Sequence, residues 1–361
     1  MGGGLRRVPE TARFYDLLCR VQRQPAVTTI SPTERLESSG ATLHASQETR
    51  RLRLFSGNAN PELSREIGAY LGVPDGPRVI KRFADGELYI QIQESIRGCD
   101  VFLIQPTCAP VNDHLMELLI MVDACRRASA RQITAVIPYY GYARADRKTA
   151  GRESITAKLV ANLLVQSGVD RVLAMDLHSS QIQGYFDIPC DHVYGSPVLV
   201  DYLSTLRLDD LVVVSPDVGG VARARGFAKQ MKDAPLAIID KRRSGHNVAE
   251  SLTVIGDVAG KTAVLIDDMI DTGGTICQGA RLLRRFGASR VLCCATHAVF
   301  SPPAIERLSE PGLFEMVVVT NSIPVPPERM FAQLKVLSVA KIMGEAIWRI
   351  HEESSVSSMF R

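Results

Sequence analysis

The chain has 361 residues, 46% of them hydrophobic and 22% charged, with a formal net charge of +3. That length accommodates two domains, and no run of about 18 apolar residues is present to cross a membrane as a helix. The whole charge excess lies within residues 1–30, where Arg6, Arg7, Arg13, Arg20 and Arg23 face only Glu10 and Asp16. The remainder is neutral overall and lacks the basic face that nucleic-acid binding requires.

The eight cysteines (Cys19, Cys99, Cys108, Cys125, Cys190, Cys277, Cys293 and Cys294) form no CxxC pair and sit mostly in apolar segments. This pattern predicts reduced, buried thiols rather than a disulfide framework or a zinc site.

In chain order, residues 1–50 are poor in hydrophobic periodicity. They read either as a transit peptide for a plastid or another organelle, or as a disordered extension of a cytoplasmic protein. Myristoylation is a poor fit, because Arg6 stands where Ser or Thr is expected. From Leu52 onward, short β-rich runs alternate with helical patterns, the rhythm of parallel sheets covered by helices. Residues 100–107 read as a strand, 113–128 as a helix and 132–140 as the next strand. In the helix Leu115, Leu118, Leu119, Val122 and Cys125 share one face. Further strands are expected within 210–220, 236–243, 261–275, 289–297 and 314–324. The reading therefore divides the chain into a leader (1–50), an N-terminal α/β domain (51–195) and a C-terminal α/β domain (196–361).

The stretch AVLIDDMIDTGGTICQGARLL, residues 263–283, carries the clearest chemistry. Ala263 to Ile266 read as a buried strand and Thr275 to Phe286 as a helix with Gly287 just beyond it. The polar block between them thus lies at the carboxyl end of a parallel strand, where open α/β sheets bind ligands. Gly273 and Gly274 let backbone N–H groups approach an anion at the helix N-terminus, and Thr272 and Thr275 add hydroxyl donors. Asp267 and Asp268 are suited to accept ribose hydroxyls. The bland alternative is a solvated acidic turn, which leaves two adjacent carboxylates beside an apolar strand without partners. GDVAGKT (256–262) is not a phosphate loop: three residues rather than four separate its glycines, and it precedes a strand.

VLIDDMIDTGGT resembles the phosphoribosyl pyrophosphate-binding motif of phosphoribosyltransferase-type folds. With FSGNANPELSREIGAYLG, RFADGELYIQIQESIRG, NDHLMELLIMVDACRRASA, MDLHSSQIQGYFDIPCDHVYGSP, SPDVGGVARAR and DKRRSGHNVAE, the chain resembles the ribose-phosphate diphosphokinases of the phosphate-dependent, bacterial and plant-like kind. The resemblance runs from about Leu52 to Phe360. It implies two tandem phosphoribosyltransferase-type domains and transfer of the β,γ-diphosphoryl group of ATP to the 1-hydroxyl of ribose 5-phosphate, giving phosphoribosyl pyrophosphate and AMP.

The site residues follow from the same resemblance. Asp267, Asp268, Asp271, Thr272, Gly273, Gly274 and Thr275 are expected to hold ribose 5-phosphate. His178 and Asp176, with Asp187, Asp191 and Asp217, are expected to serve Mg²⁺ (two ions), which needs few protein ligands besides substrate phosphates. Taken alone, the His-Asp cluster reads as a structural hydrogen-bond network, and Asp217 as a turn residue. Lys241 and Arg243 are assigned to transition-state stabilisation, whereas a basic turn by itself reads as solvated surface. Arg144 and Asp146 belong to a lid over ATP, although Ala145 stands where the family usually has Gln. Phe83, Asp85 and Glu87 are expected to reach the ATP site of a neighbouring subunit, with core packing the alternative for Phe83. The resemblance also implies inorganic phosphate as activator and a homohexamer with shared active sites. The competing functions are a phosphoribosyltransferase and a non-catalytic regulatory homologue.

Overall fold

The computed structural model describes Met1, residues 51–242 and residues 251–360. The leader and Arg243 lie outside the described residues, as does Cys19, and only the backbone of Lys241 is described. The first half runs β1 (Leu52–Ser56), α1 (Pro61–Leu71), β2 (Arg78–Arg82), β3 (Leu88–Ile92), β4 (Asp100–Ile104), α2 (Val111–Arg127), β5 (Gln132–Ile137), α3 (Thr156–Ser167), β6 (Arg171–Met175) and β7 (Cys190–Val193). The second runs α4 (Ser196–Ser204), β8 (Leu211–Ser215), α5 (Val221–Gln230), β9 (Leu236–Arg242), β10 (Ser251–Ile255), β11 (Thr262–Ile270), α6 (Gly274–Arg285), β12 (Arg290–Ala298), α7 (Ala304–Leu308), β13 (Met316–Thr320), β14 (Leu334–Leu337) and α8 (Ala340–His351).

Two sheets result. One has the order β1-β4-β5-β6-β7, with every pairing parallel. The other has the order β10-β9-β8-β11-β12-β13-β14, parallel except for the edge strand β10. All five residues of β4 are buried, and β5, β8 and β13 are buried beyond their first residue. Such strands have helices on both faces, which is why they read as continuous apolar runs rather than alternating ones. A separate antiparallel hairpin, β2–β3, is tied to α2 by an Arg82–Asp113 ion pair at 2.9 Å.

The sheets divide between β7 and α4, but the chain then crosses back. Ile342, Met343, Ala346 and Ile347 of α8 pack with Leu54, Leu63, Ile67 and Phe102 of the first half. At about 1.5–3 kcal/mol for each large apolar side chain buried, this helix is integral to the N-terminal core. Gly344 explains how closely it docks, because a Cβ there would lie 2.5 Å from the Tyr70 ring. His351 Nδ1 closes the contact on Asp100 Oδ2 at 2.8 Å. Helix α8, which follows the second sheet in the chain, thus covers an apolar face left by the first.

Seven described cysteines are free, and all but the half-buried Cys190 are buried. Burial pushes the thiols of Cys108, Cys125, Cys190, Cys277, Cys293 and Cys294 up, Cys125 to about 12, so these six are inert at neutral pH. No helix among the described residues is long and apolar enough to cross a membrane.

Candidate active site

The β11 strand runs four residues further than its apolar core implies. It pairs with β8 only from Thr262 to Leu265, but with β12 as far as Ile270. Asp267 and Asp268 therefore belong to the strand itself, at a level where its β8 side has opened. Arg223, from α5, enters that opening and places Nη1 2.9 Å from Asp267 Oδ1 and 3.2 Å from Asp268 Oδ1. This countercharge was missed in the sequence, where it sits in an unremarkable helix 44 residues before Asp267.

Two adjacent carboxylates sharing one guanidinium do not ionise equally. Burial works against the charge on Asp268, but hydrogen bonding from His178 and the Arg223 charge outweigh it and hold that carboxyl well below the usual range. Burial, reinforced by the neighbouring carboxylate, pushes Asp267 up to about 8. Asp268 thus carries the negative charge of the pair.

Beyond β11 the chain turns through Asp271 and Thr272 into Gly273, which has φ 71° and ψ −2°, a left-handed conformation that favours glycine. Helix α6 starts at Gly274, and no side chain caps its N-terminus. Its first-turn N–H groups are therefore available to an anion, with the helix dipole behind them. A Cβ on Gly274 would sit 3.3 Å from Arg307 Nη1 of α7, and Arg307 itself donates to the Thr272 carbonyl at 2.9 Å. The predicted cradle is open, glycine-dependent and tethered from outside.

The other half of the site comes from the first sheet. After β6 the turn 176–178 projects across the domain boundary, and His178 Nδ1 donates to Asp268 Oδ2 at 2.8 Å. The hydrogen bond to Asp268 raises the His178 pKa. This arrangement fixes the tautomer and leaves Nε2 for a ligand, the pattern in which carboxylates orient metal-binding imidazoles. Asp217, just past β8, uses Oδ1 to accept the Gly220 N–H at 2.8 Å, while its other oxygen makes no hydrogen bond among the described residues. No group of three or more His, Cys, Asp or Glu among the described residues converges to hold a metal. A magnesium ion shared with substrate phosphates needs only one or two protein donors, which His178 and Asp217 fit. Arg144 spans the boundary as well, pairing with Asp271.

Two matched segments and a set of close relatives identify this arrangement. Residues 52–168 match the N-terminal domain of ribose phosphate pyrophosphokinase, and residues 245–361 match the phosphoribosyl synthetase-associated domain. A ribose-phosphate pyrophosphokinase of Parasynechococcus marenigrum is 87% identical over 87% of this chain and 95% of its own length. That of Synechococcus elongatus is 78% identical over 87% and 95%, respectively. The chain belongs to the ribose-phosphate pyrophosphokinase family. The crystal structure of phosphoribosylpyrophosphate synthetase from Mycobacterium smegmatis superposes with a TM-score of 0.80 at 46% identity, covering 84% of this chain and all of that one. The two sheets are thus the tandem phosphoribosyltransferase-type domains of the family.

Other residues singled out from the sequence lie elsewhere or are already engaged. Asp191, on β7, is bound by Arg171 at 2.6 Å, and Asp187 is paired with Lys158 at 3.4 Å. Both acids are thus engaged by cations of the first domain, and neither hydrogen-bonds to His178. A 3-10 turn at Ser180–Tyr185 separates them from the 176–178 turn, and β7 follows it. Asp176 accepts the Gly195 N–H at 2.9 Å and the Thr296 hydroxyl through Oδ2, which makes that oxygen an anchor rather than an open ligand. The Asp146 carbonyl accepts from the Tyr185 hydroxyl, and the Glu153 carboxylate accepts the Thr149 and Ala150 N–H groups, stitching the 142–155 loop together.

Phe83, Asp85 and Glu87 form the tip of the β2–β3 hairpin. Phe83 is 55% exposed, which removes core packing as its explanation. Among the described residues, none of the three hydrogen-bonds to the turn 176–178 or the β11 loop. Glu87 instead lines a cavity of about 350 Å³ between the hairpin and α2, with Arg82, Leu88, Asp113 and Met116.

Proposed function

We propose that this chain is a ribose-phosphate diphosphokinase that moves the β,γ-diphosphoryl group of ATP onto the 1-hydroxyl of ribose 5-phosphate, releasing AMP and phosphoribosyl pyrophosphate. The observation that carries the reading is the contact of His178 with Asp268. It joins an uncapped, glycine-lined helix N-terminus in one domain to an oriented imidazole from the other.

In this reading the 5-phosphate rests on the N–H groups of residues 273–276 and the Thr272 and Thr275 hydroxyls. Asp267 and Asp268 face the ribose hydroxyls and orient the 1-hydroxyl. Mg²⁺, when bound through His178 and Asp217 with ATP phosphates, supplies charge neutralisation on the transferred group. Lys241, a residue of β9, and Arg243, which lies outside the described residues, are assigned to stabilising charge on the leaving AMP. Arg144 and Asp146 cover ATP, and Arg144 opens its pair with Asp271 to do so. Phe83, Asp85 and Glu87 stand on an exposed hairpin tip, which supports a role in the ATP site of a neighbouring copy within a homohexamer. Inorganic phosphate is the expected activator. Residues 1–50 precede the matched region and serve as an organelle-directing leader, a plastid being one destination; a cytoplasmic enzyme is the alternative, and sequencing the mature N-terminus from cells separates the two.

The test is incubation of purified protein with ATP, ribose 5-phosphate and Mg²⁺. AMP and phosphoribosyl pyrophosphate should appear together in equal amounts. A regulatory homologue would yield neither. A phosphoribosyltransferase would consume added phosphoribosyl pyrophosphate in the presence of a base.

A further inference from the structure

The turn Asp176–His178 is held at each of its three residues by groups from distant parts of the chain. Asp176 is a non-glycine residue at φ 38°, a conformation that persists where surroundings over-determine it. Its Oδ2 accepts from Thr296 and from the Gly195 N–H, and its carbonyl faces His297 Nε2 at 3.1 Å. Leu177 donates its N–H to His192 Nε2 at 3.0 Å. His178 closes on Asp268.

The tautomers are determined by these partners. Burial lowers the His297 pKa and keeps the ring neutral, and a carbonyl only accepts, so the single proton lies on Nε2. Nδ1 then accepts from the Ser322 hydroxyl at 2.9 Å. The Tyr139 ring packs edge-on against the imidazole, its centroid 5.1 Å away.

Thr296 and His297 are consecutive residues of β12, and β12 pairs with β11 through Ala295↔Asp267 and Met269↔His297. The contacts therefore close a ring: β12 to Asp176, Asp176 to His178, His178 to Asp268, and Asp268 through β11 back to β12. We propose that Thr296 and His297 are positioning residues for the diphosphoryl transfer. In this role they hold Asp176 so that His178 Nε2 keeps a fixed place relative to the ribose-facing carboxylates, and Asp176 acts through its accepted hydrogen bonds rather than as a metal ligand. The inference rests on the diphosphokinase reading of the same site.

Thr296→Val keeps the side-chain shape and removes the hydroxyl. It should raise the Mg²⁺ concentration for half-maximal activity about tenfold, in the range seen when an outer partner of a metal-binding residue is removed. It should also lower kcat while leaving the KM for ribose 5-phosphate within about twofold, and Thr296→Ser should restore both. In metal-free protein labelled with 15N-histidine, His178 should show one fixed Nδ1–H tautomer, and Thr296→Val should show averaging. Asp176→Asn still accepts through Oδ1, so its Mg²⁺ requirement should stay well below that of Asp176→Ala.

A wild-type Mg²⁺ requirement and a fixed His178 tautomer in Thr296→Val would overturn the proposal, whatever the change in Tm. So would equal Mg²⁺ defects in Asp176→Asn and Asp176→Ala. If Thr296→Val does not fold, the two Asp176 variants decide. A wild-type protein that forms no AMP fails the diphosphokinase reading instead, and the tautomer measurement still tests the positioning contact.

Discussion

The β11–α6 turn and the β4–α2 turn occupy comparable places, each leading from the carboxyl end of a parallel strand into a helix, yet they are built for different work. The first contains Gly273 at positive φ and leaves the α6 N-terminus uncapped. The second carries Pro106 and Pro110, which have no N–H to offer, with Pro110 as the residue preceding α2. His114 also folds back onto the Cys108 carbonyl at 2.8 Å. Neither helix has a side-chain cap, so the difference between the two strand ends is a left-handed glycine at one and N–H-less prolines at the other.

The largest test of that contrast is Gly273→Val. A β-branched residue at φ 71° is strained, and relieving the strain turns the first N–H groups of α6 away from the cradle. The apparent KM for ribose 5-phosphate should rise by about 100-fold or more, in line with the loss of about 3 kcal/mol of preorganised donation. Pro110→Ala should leave that KM within about twofold. Steady-state kinetics on both variants would erase the distinction if Gly273→Val bound ribose 5-phosphate normally.

The contrast also explains what was readable from the sequence. The turn proposed to hold the 5-phosphate is local: its glycines, hydroxyls and helix start fall within four consecutive residues, 272–275, so its backbone geometry was legible without tertiary information. The strand rhythm was legible for the same reason, through the buried runs of β4, β8, β11 and β12. Arg223, Thr296, His297 and His192 were not legible, because their roles depend on partners brought together by the sheets, 120 residues away in the case of Thr296 and Asp176. Asp191 shows the converse, a sequence neighbour with a different partner. It lies close to His178 in sequence, but β7 turns its carboxylate to Arg171. The docking of α8 on the first sheet escaped a reading that divided the chain only once.

That helix gives the next test, since it makes the two halves interdependent. Asp100 is 2% exposed and accepts from both His351 and Arg131. Burial opposes its charge, but the His351 and Arg131 hydrogen bonds hold its carboxyl below the ordinary value of 3.8. A depressed folded pKa adds stability that is complete above the unfolded pKa and disappears as pH falls through the folded one. Asp100→Asn should therefore destabilise the protein by about 2 kcal/mol at pH 7, and the gap to wild type should shrink below about pH 4. Denaturant unfolding at pH 7 and pH 3 measures it. A gap that widened at low pH would remove Asp100 as the charged anchor of α8.

The smallest effect is expected at Asp187, and it sharpens the contrast by showing which acids the site ignores. Its carboxylate is 79% exposed and sits 3.4 Å from Lys158, itself 37% exposed. Solvent screening leaves such a pair worth about 0–1 kcal/mol, and Asp187 belongs to none of the contacts that fix His178. Asp187→Asn should leave Tm within about 2 °C and the Mg²⁺ requirement within about twofold. Asp268 differs on every count that gives a carboxylate leverage: it is 3% exposed, shares a guanidinium with Asp267 and accepts a hydrogen bond from the His178 Nδ1–H. A Mg²⁺ titration of Asp187→Asn that shifted by tenfold would return Asp187 to the metal set. It would also require the segment after the 176–178 turn to rearrange toward His178 when ATP binds.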